Sequence, residues 1–394
     1  MENLTRRLGT GIALTSVALL SACGGNGSSG GDDGSGPIRI GVSAPLSGDS
    51  AAAGTDIVNA AKLAVKKINK EGLLDGRKVE IVQVDDACDA QTGTAAMRKL
   101  LTQKVVAVAG GYCSGAVIPE TMITDRAGVP FIADASTNVE ITERGLKHVF
   151  RTIGRDDKQS EFAARYMVEY LKADSVAVIH DNTAYSKGLA EATKDTVKKL
   201  GAKTVFYDAI TPGAKDFTSF LTKAKSTKPQ AIYFTGYYAD AGLLLKQAHE
   251  LGIDVPIIGG DANQDPTVIK TAGRAAEGFT TTTAPLPDFI KSTADFVSAY
   301  EREYGTEPGP YAPYEYDAVN VLADAIARAA SADSEKITEA LHATKDYAGV
   351  TGPINFDEKG DRVHPIYVTA VVEGGAFVPG KKLDESGNWV DAKG

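Results

Sequence analysis

The chain is poor in the residues on which most catalytic and metal chemistry depends: 394 residues contain five histidines, three cysteines and one tryptophan. His148, His180, His249, His342 and His364 are scattered, and His-Glu-x-x-His, Walker-loop and Cys-x-x-Cys patterns are absent, so zinc-hydrolase, nucleotide-hydrolase and dithiol chemistry lack their signatures. Gly27-Ser28-Ser29-Gly30-Gly31 matches Gly-x-Ser-x-Gly without the strand and helix that a nucleophile elbow requires. No metal or cofactor is therefore expected. Asp85, Asp86 and Asp89 lack the further spaced ligands and the glycine of a calcium loop, and a solvated loop is expected there. Basic residues are outnumbered 42 to 51, for a formal charge of -9, which argues against nucleic acid or anionic lipid as the ligand. Beyond the first 20 residues no apolar run is long enough to cross a bilayer.

The first residues read as an export leader: Arg6 and Arg7 precede a short apolar run, Gly11 to Leu20. Leu20-Ser21-Ala22-Cys23 then resembles the bacterial lipobox, in which the cysteine is acylated and becomes the new N-terminus. A diacylglyceryl group on Cys23 would supply more than one buried chain, the condition for stable anchoring. Arg6-Arg7 leaves the Sec and twin-arginine routes both open. Residues 24–36 are Gly, Ser, Asp and Asn only, with nothing to bury, and read as a flexible tether.

From Pro37 the composition is that of a globular protein, 43% apolar and 24% charged, and the length suits two domains. Setting Cys23 aside leaves Cys88 and Cys113, an even pair in an exported chain, and a disulfide is expected. The alternative, a metal pair, finds no nearby His or third Cys.

Short apolar runs alternate with amphipathic stretches, the mark of β-α units on parallel sheets. Strands are expected at Ile38 to Ala44, Val79 to Val84, Val105 to Ala109, Phe131 to Ala133, Val176 to Ile179, Thr204 to Ala209, Ala231 to Thr235, Ile257 to Gly259 and Phe279 to Thr283. Helices fit between them, as at Gln159 to Leu171, Leu189 to Leu200 and Ala241 to Leu251. Past Ala284 to Pro287 the order changes to three helices and a strand-rich tail.

Ligands of open parallel sheets bind beyond the carboxyl ends of the strands, and those ends are polar here: Gly111 to Gly115, Asp134 to Thr137, His180 to Tyr185, Gly236 to Tyr238 and Gly259 to Asp261. Such groups meet the needs of a zwitterion. A helix starting after Ser114 offers N–H groups and a positive dipole end to a carboxylate, with the Ser114 and Thr137 hydroxyls beside it. Asp261 and a carbonyl near Ala135 would accept from an ammonium.

Over about Pro37 to Val372 the sequence resembles the leucine-isoleucine-valine binding proteins, type I periplasmic binding proteins of branched-chain amino-acid ABC transporters. The resemblance is carried by Asp85-Asp86-Ala87-Cys88-Asp89 with Cys113-Ser114, by His180-Asp181 with Tyr185 and Gly188-Leu189-Ala190, and by Lys215-Asp216-Phe217, Gly236-Tyr237 and Asp357-Glu358-Lys359-Gly360-Asp361. It implies a two-lobed α/β fold, each lobe a mainly parallel sheet flanked by helices, joined by a multi-strand hinge. The implied limits are 1–23 leader, 24–36 tether, 37–155 with 285–362 for lobe 1, 156–284 with 363–381 for lobe 2, and 382–394 as a tail. The implied ligand set is Ser114, Ala135, Ser136 and Thr137 on the first lobe and Tyr185, Tyr237 and Asp261 on the second, with Tyr311 from the returning segment. Ala53 stands where leucine-type members carry an aromatic residue, and Tyr311 replaces a more apolar ring, so a larger or more polar amino acid fits the departures. The resemblance also implies a disulfide at Cys88 and Cys113, membrane permease subunits as partners, a monomer, and a place on the outer face of the cell membrane or the periplasmic side of an outer-membrane organism. The same fold also serves amide or urea binding and ligand sensing, and a secreted hydrolase is the enzyme alternative.

Overall fold

The computed structural model describes residues 36–393; the expected leader, Cys23 and nearly all of the tether lie outside the described residues. Five strands, β1 (Ile38–Ala44), β2 (Val79–Asp85), β3 (Ala107–Gly110), β4 (Phe131–Ala133) and β5 (Val149–Arg151), form an all-parallel sheet in the order β2-β1-β3-β4-β5. The central strands are continuous apolar runs because helices cover both their faces, whereas β2, at the edge, exposes Glu80 and Gln83.

A second sheet repeats the plan with β6 (Ser175–His180), β7 (Lys203–Ala209), β8 (Ala231–Phe234), β9 (Ile257–Gly259) and β10 (Thr280–Thr283) in the order β7-β6-β8-β9-β10. A short hairpin, β11 (Tyr347–Gly349) with β12 (Gly352–Ile354), stands apart. Antiparallel strands β13 (Val368–Glu373), β14 (Ala376–Leu383) and β15 (Trp389–Asp391) then extend the second sheet past β10. Residues 382–394, expected to be a tail, thus contribute the end of β14 and all of β15. Trp389 on β15 packs its ring 5.4 Å from Phe162 and 5.6 Å from Tyr166.

The helices fall where the periodicity put them, with ends shifted by their caps. The Thr183 hydroxyl accepts from Ser186 N–H and starts the helix Ala184–Lys199, several residues ahead of its expected start. The helix expected to run to Leu171 is α-helical over Asp156–Arg165 and continues as a π-turn, Tyr166–Tyr170. Between the sheets the chain crosses three times. Tyr367 Oη donates to the Arg155 carbonyl and an Arg362 N–H to the Thr152 carbonyl, which ties the crossings together.

Candidate functional site in the cleft between the lobes

Both sheets reverse strand order beside their first strand, and the crevice this creates receives the loops after β3 and β4 from one side and those after β6, β8 and β9 from the other. Gly110 and Gly111, at φ 105° and 100°, turn the chain out of β3, and a Cβ on Gly110 would collide with the Ser43 carbonyl. Cys113 then caps the helix Ser114–Arg126, so Ser114 is its first residue. That cap is fixed from behind. Asp85 accepts from Ala87 N–H and Asp86 from Cys88 N–H, holding Ala87 and Cys88 left-handed and bringing Cys88 within a Cα–Cα distance of 5.2 Å of Cys113, to which it is disulfide-bonded. Asp86 is fully buried, not part of a solvated loop, and burial lifts its carboxyl to about 6. Only Asp89 behaves as a surface residue, as the N-cap of the helix Ala90–Thr102.

The loop after β4 is gripped by Arg151, a wholly buried guanidinium at the end of β5 that sequence reasoning missed. It donates to the Ser136 and Asn138 carbonyls on either side of Thr137, and to Thr142 Oγ1 and Asp361 Oδ1. Ser136 spends its hydroxyl proton on the Gly111 carbonyl at 2.7 Å, so it ties the two loops together and has no proton to offer a ligand. Ser114 Oγ accepts weakly from Asn138 N–H, and the buried Thr137 hydroxyl faces the Asp156 carboxyl. No donor among the described residues reaches the Ala135 carbonyl.

From the second lobe, Asp261 follows β9 and is buried. Its two oxygens accept from Tyr185 Oη at 2.7 Å and Tyr311 Oη at 3.0 Å, the latter from the opposite lobe. Burial pushes its carboxyl above the ordinary value against the pull of these hydroxyls. Asp156, the first residue of the helix Asp156–Arg165, was also missed: it is buried beside Thr137, whose carbonyl accepts from its N–H, and burial and then the Asp261 charge push its carboxyl well up against the pull of the Thr137 hydroxyl. The aromatic ring of Tyr112 packs 5.7 Å from Tyr237 and 5.4 Å from Tyr311. Tyr237 in turn sits 5.2 Å from Tyr185. Ala53, Tyr112, Tyr311 and Asp261 line a narrow cleft with a free volume of about 10 Å³, room for one water. Tyr238 Oη donates to the Asp49 carbonyl and Asn138 Nδ2 to the Ala184 carbonyl, so the lobes are closed on each other.

The chain therefore brings the hydroxyl and N–H donors of the first lobe together with Asp156 and with Asp261 and its two tyrosine partners. Among the described residues no group of three or more His, Cys, Asp or Glu side chains is arranged to hold a metal ion. The periplasmic binding protein family model matches residues 37–376. The chain belongs to that family. As a periplasmic binding protein it is a substrate-binding component of ABC-transporter type, not an enzyme. A Leu/Ile/Val-binding protein homolog of Brucella abortus is 34% identical over 339 residues, 86% of this chain and 91% of the relative. The branched-chain amino acid transporter substrate binding protein of Streptococcus pneumoniae, solved with isoleucine, superposes with a TM-score of 0.80 at 31% identity, over 90% of this chain and 99% of that one. A solute binding protein from R. palustris, solved with benzoate, gives a TM-score of 0.80 at 22% identity, covering 90% of this chain and 98% of that one, and bears on the fold alone.

Proposed function

We propose that this periplasmic binding protein captures a free amino acid between its closing lobes and hands it to a membrane permease, from an exported position anchored by a lipid on Cys23. The observation that carries the reading is the opposition of charge preferences across the cleft. Ser114 and the first turn of the helix Ser114–Arg126 present donors on one side, and Asp261 is buried on the other with only the hydroxyls of Tyr185 and Tyr311 as partners. A zwitterion supplies both missing groups at once. Its carboxylate takes the Thr137 and Ser114 hydroxyls and the first-turn N–H groups of the helix Ser114–Arg126. Its ammonium lies against Asp261, Asp156 and the Ala135 carbonyl. An acid without an ammonium, such as benzoate, leaves two buried carboxylates unpaired, and an amide or urea leaves the hydroxyl wall without an anion.

The test is a thermal-shift screen of the purified protein against amino acids, simple amides, urea, sugars and benzoate. A ligand at a hundred times its dissociation constant adds about 2.7 kcal/mol, a shift of several degrees. The reading expects an α-amino acid to raise the melting temperature while its deaminated acid and its amine do not. A shift with benzoate or an amide and with no amino acid would overturn it.

A further inference from the structure

Beyond the groups that meet the α-ammonium and α-carboxylate, the cleft continues toward Ala53 and becomes acidic. Asp56, on the helix Ala51–Glu71 of the first lobe, and Asp265, cap of the helix Pro266–Ala272 of the second, both line the same cavity. Lysine, arginine and histidine are absent from its lining. Asp56 has one oxygen committed to Tyr300 Oη at 2.9 Å, and Gly309 makes room for the other: a Cβ there would collide with Asp56 Oδ2. Asp265 uses one oxygen to cap Thr267 N–H. Each therefore keeps an oxygen for something else.

A second and independent feature lies on the same wall. Gln264 is 3% exposed, lines the cavity, and has an amide nitrogen with no acceptor. The Thr283 hydroxyl lies 2.6 Å from Gln264 Oε1 and 2.9 Å from the Ala284 carbonyl, but it has one proton to give. With the amide turned over, Thr283 donates to Ala284 and accepts from Gln264 Nε2, which leaves Oε1 as a free acceptor at the cavity. Three acceptors, two of them anionic, then converge from two lobes. Asp56 and Asp265 face the same cavity, and burial with the Asp265 charge raises the Asp56 carboxyl to about 6. A leucine side chain would remove water from these carboxylates and return nothing.

Resting on the amino-acid reading above, we propose that the ligand's side chain ends in a cation, an ammonium or guanidinium, received between Asp56 and Asp265 with Gln264 as a further acceptor. The tyrosines Tyr112, Tyr238 and Tyr311 that complete the cavity supply ring faces along which a cationic chain can lie. Ala53 gives it the length that a leucine-type aromatic residue would remove.

The experiment is isothermal titration of the purified protein with L-arginine, L-lysine, L-leucine, L-isoleucine and L-glutamine, repeated on Asp56→Asn, Asp56→Glu and Asp265→Asn. The proposal expects arginine or lysine to bind at least tenfold tighter than leucine. It expects each Asn variant to lose tenfold or more for the cationic ligand, and Asp56→Glu, which keeps the charge, to recover part of that loss. Tighter binding of leucine or isoleucine in the wild type, with the Asn variants leaving the ranking unchanged, overturns the cationic side chain and leaves the amino-acid reading standing. Absence of binding by any amino acid overturns both.

Discussion

Replacing Arg151 by Met tests whether the ligand loop is held by buried electrostatics or simply by packing. The side chain is fully buried, and methionine fills much the same volume without donors. Removing the guanidinium orphans the Ser136 carbonyl, held at 3.2 Å, while the Asn138 carbonyl, held at 3.1 Å, keeps Ile141 N–H. The unsatisfied buried Ser136 carbonyl costs about 1–3 kcal/mol, and the lost charge-assisted bond to Asp361 about 1.5–3 kcal/mol more. Asp361 loses one partner but keeps Arg155 at 2.6 Å and Thr142 Oγ1, so the full cost of stranding a buried charge, about 3–5 kcal/mol, is not added. The expected loss is about 3–5 kcal/mol, measured by urea denaturation followed in far-ultraviolet circular dichroism, with a fall in melting temperature of about 10 °C. Because the carbonyls flank Thr137, ligand affinity should fall about tenfold as well. A double variant that also carries Asp361→Asn should cost less than the sum of the two single changes, since the pair acts as one network. An Arg151→Met protein within about 1 kcal/mol of wild type, binding ligand with unchanged affinity, would refute the reasoning.

Breaking the disulfide with Cys88→Ser and Cys113→Ser should cost about 3–4 kcal/mol, from the entropy returned to an unfolded chain once cross-linked over a separation of 25 residues, and calorimetry of the variant against wild type measures it. Asp261→Asn preserves shape but removes the charge that meets the ammonium, so affinity by titration calorimetry should fall about a hundredfold or more while the melting temperature of the unliganded protein stays level or rises. The unliganded protein should lose stability as pH rises from 5 to 9. Asp56 and Asp86 titrate at about 6 and Asp134 at about 8 in the fold, all raised by burial from 3.8, so the folded state holds protons that the unfolded state has released. Melting temperatures across that range should decline, and Asp134→Asn should flatten the decline between pH 6 and 8; a rise with pH would contradict the assignment.

Much of this architecture was legible because parallel strands buried on both faces announce themselves as apolar runs and their carboxyl ends as polar clusters. Ser114, Thr137, Tyr185 and Asp261 were singled out that way; all four are buried, and Asp261, which accepts from Tyr185 Oη, lines a cleft. Other elements were hidden for identifiable reasons. β5 is three residues long and ends in a charge, and Arg151 is tolerable inside only because Asp361, 210 positions later, folds back onto it. β14 contains Pro379, Gly380 and two lysines, a composition that reads as a loop and survives as a strand near the sheet's edge. Asp86 looked solvated among its neighbours, yet Asp85 and Asp86 are there to shape the backbone that presents Cys88. Ser136, polar and well placed along the chain, turned out to point its hydroxyl at Gly111. Asp156 opens a helix whose first turn carries two acids, a pattern that reads as ordinary dipole complementation; only the tertiary fold shows which of the two is sealed against Asp261.

The position of Trp389 decides what an optical experiment on this protein can report. As the chain's single indole, it is packed against Phe162, Tyr166 and Tyr170 on the edge strand β15, four strands away from the β9 end that carries Asp261. Its emission should hardly change when a solute enters the cleft and should shift strongly when the C-terminal strands peel from the second sheet. Fluorescence excited at the red edge of the indole band is therefore an unfolding gauge for that lobe, insensitive to occupancy. The same property lets one sample yield stability from its light and affinity from its heat, without either signal contaminating the other.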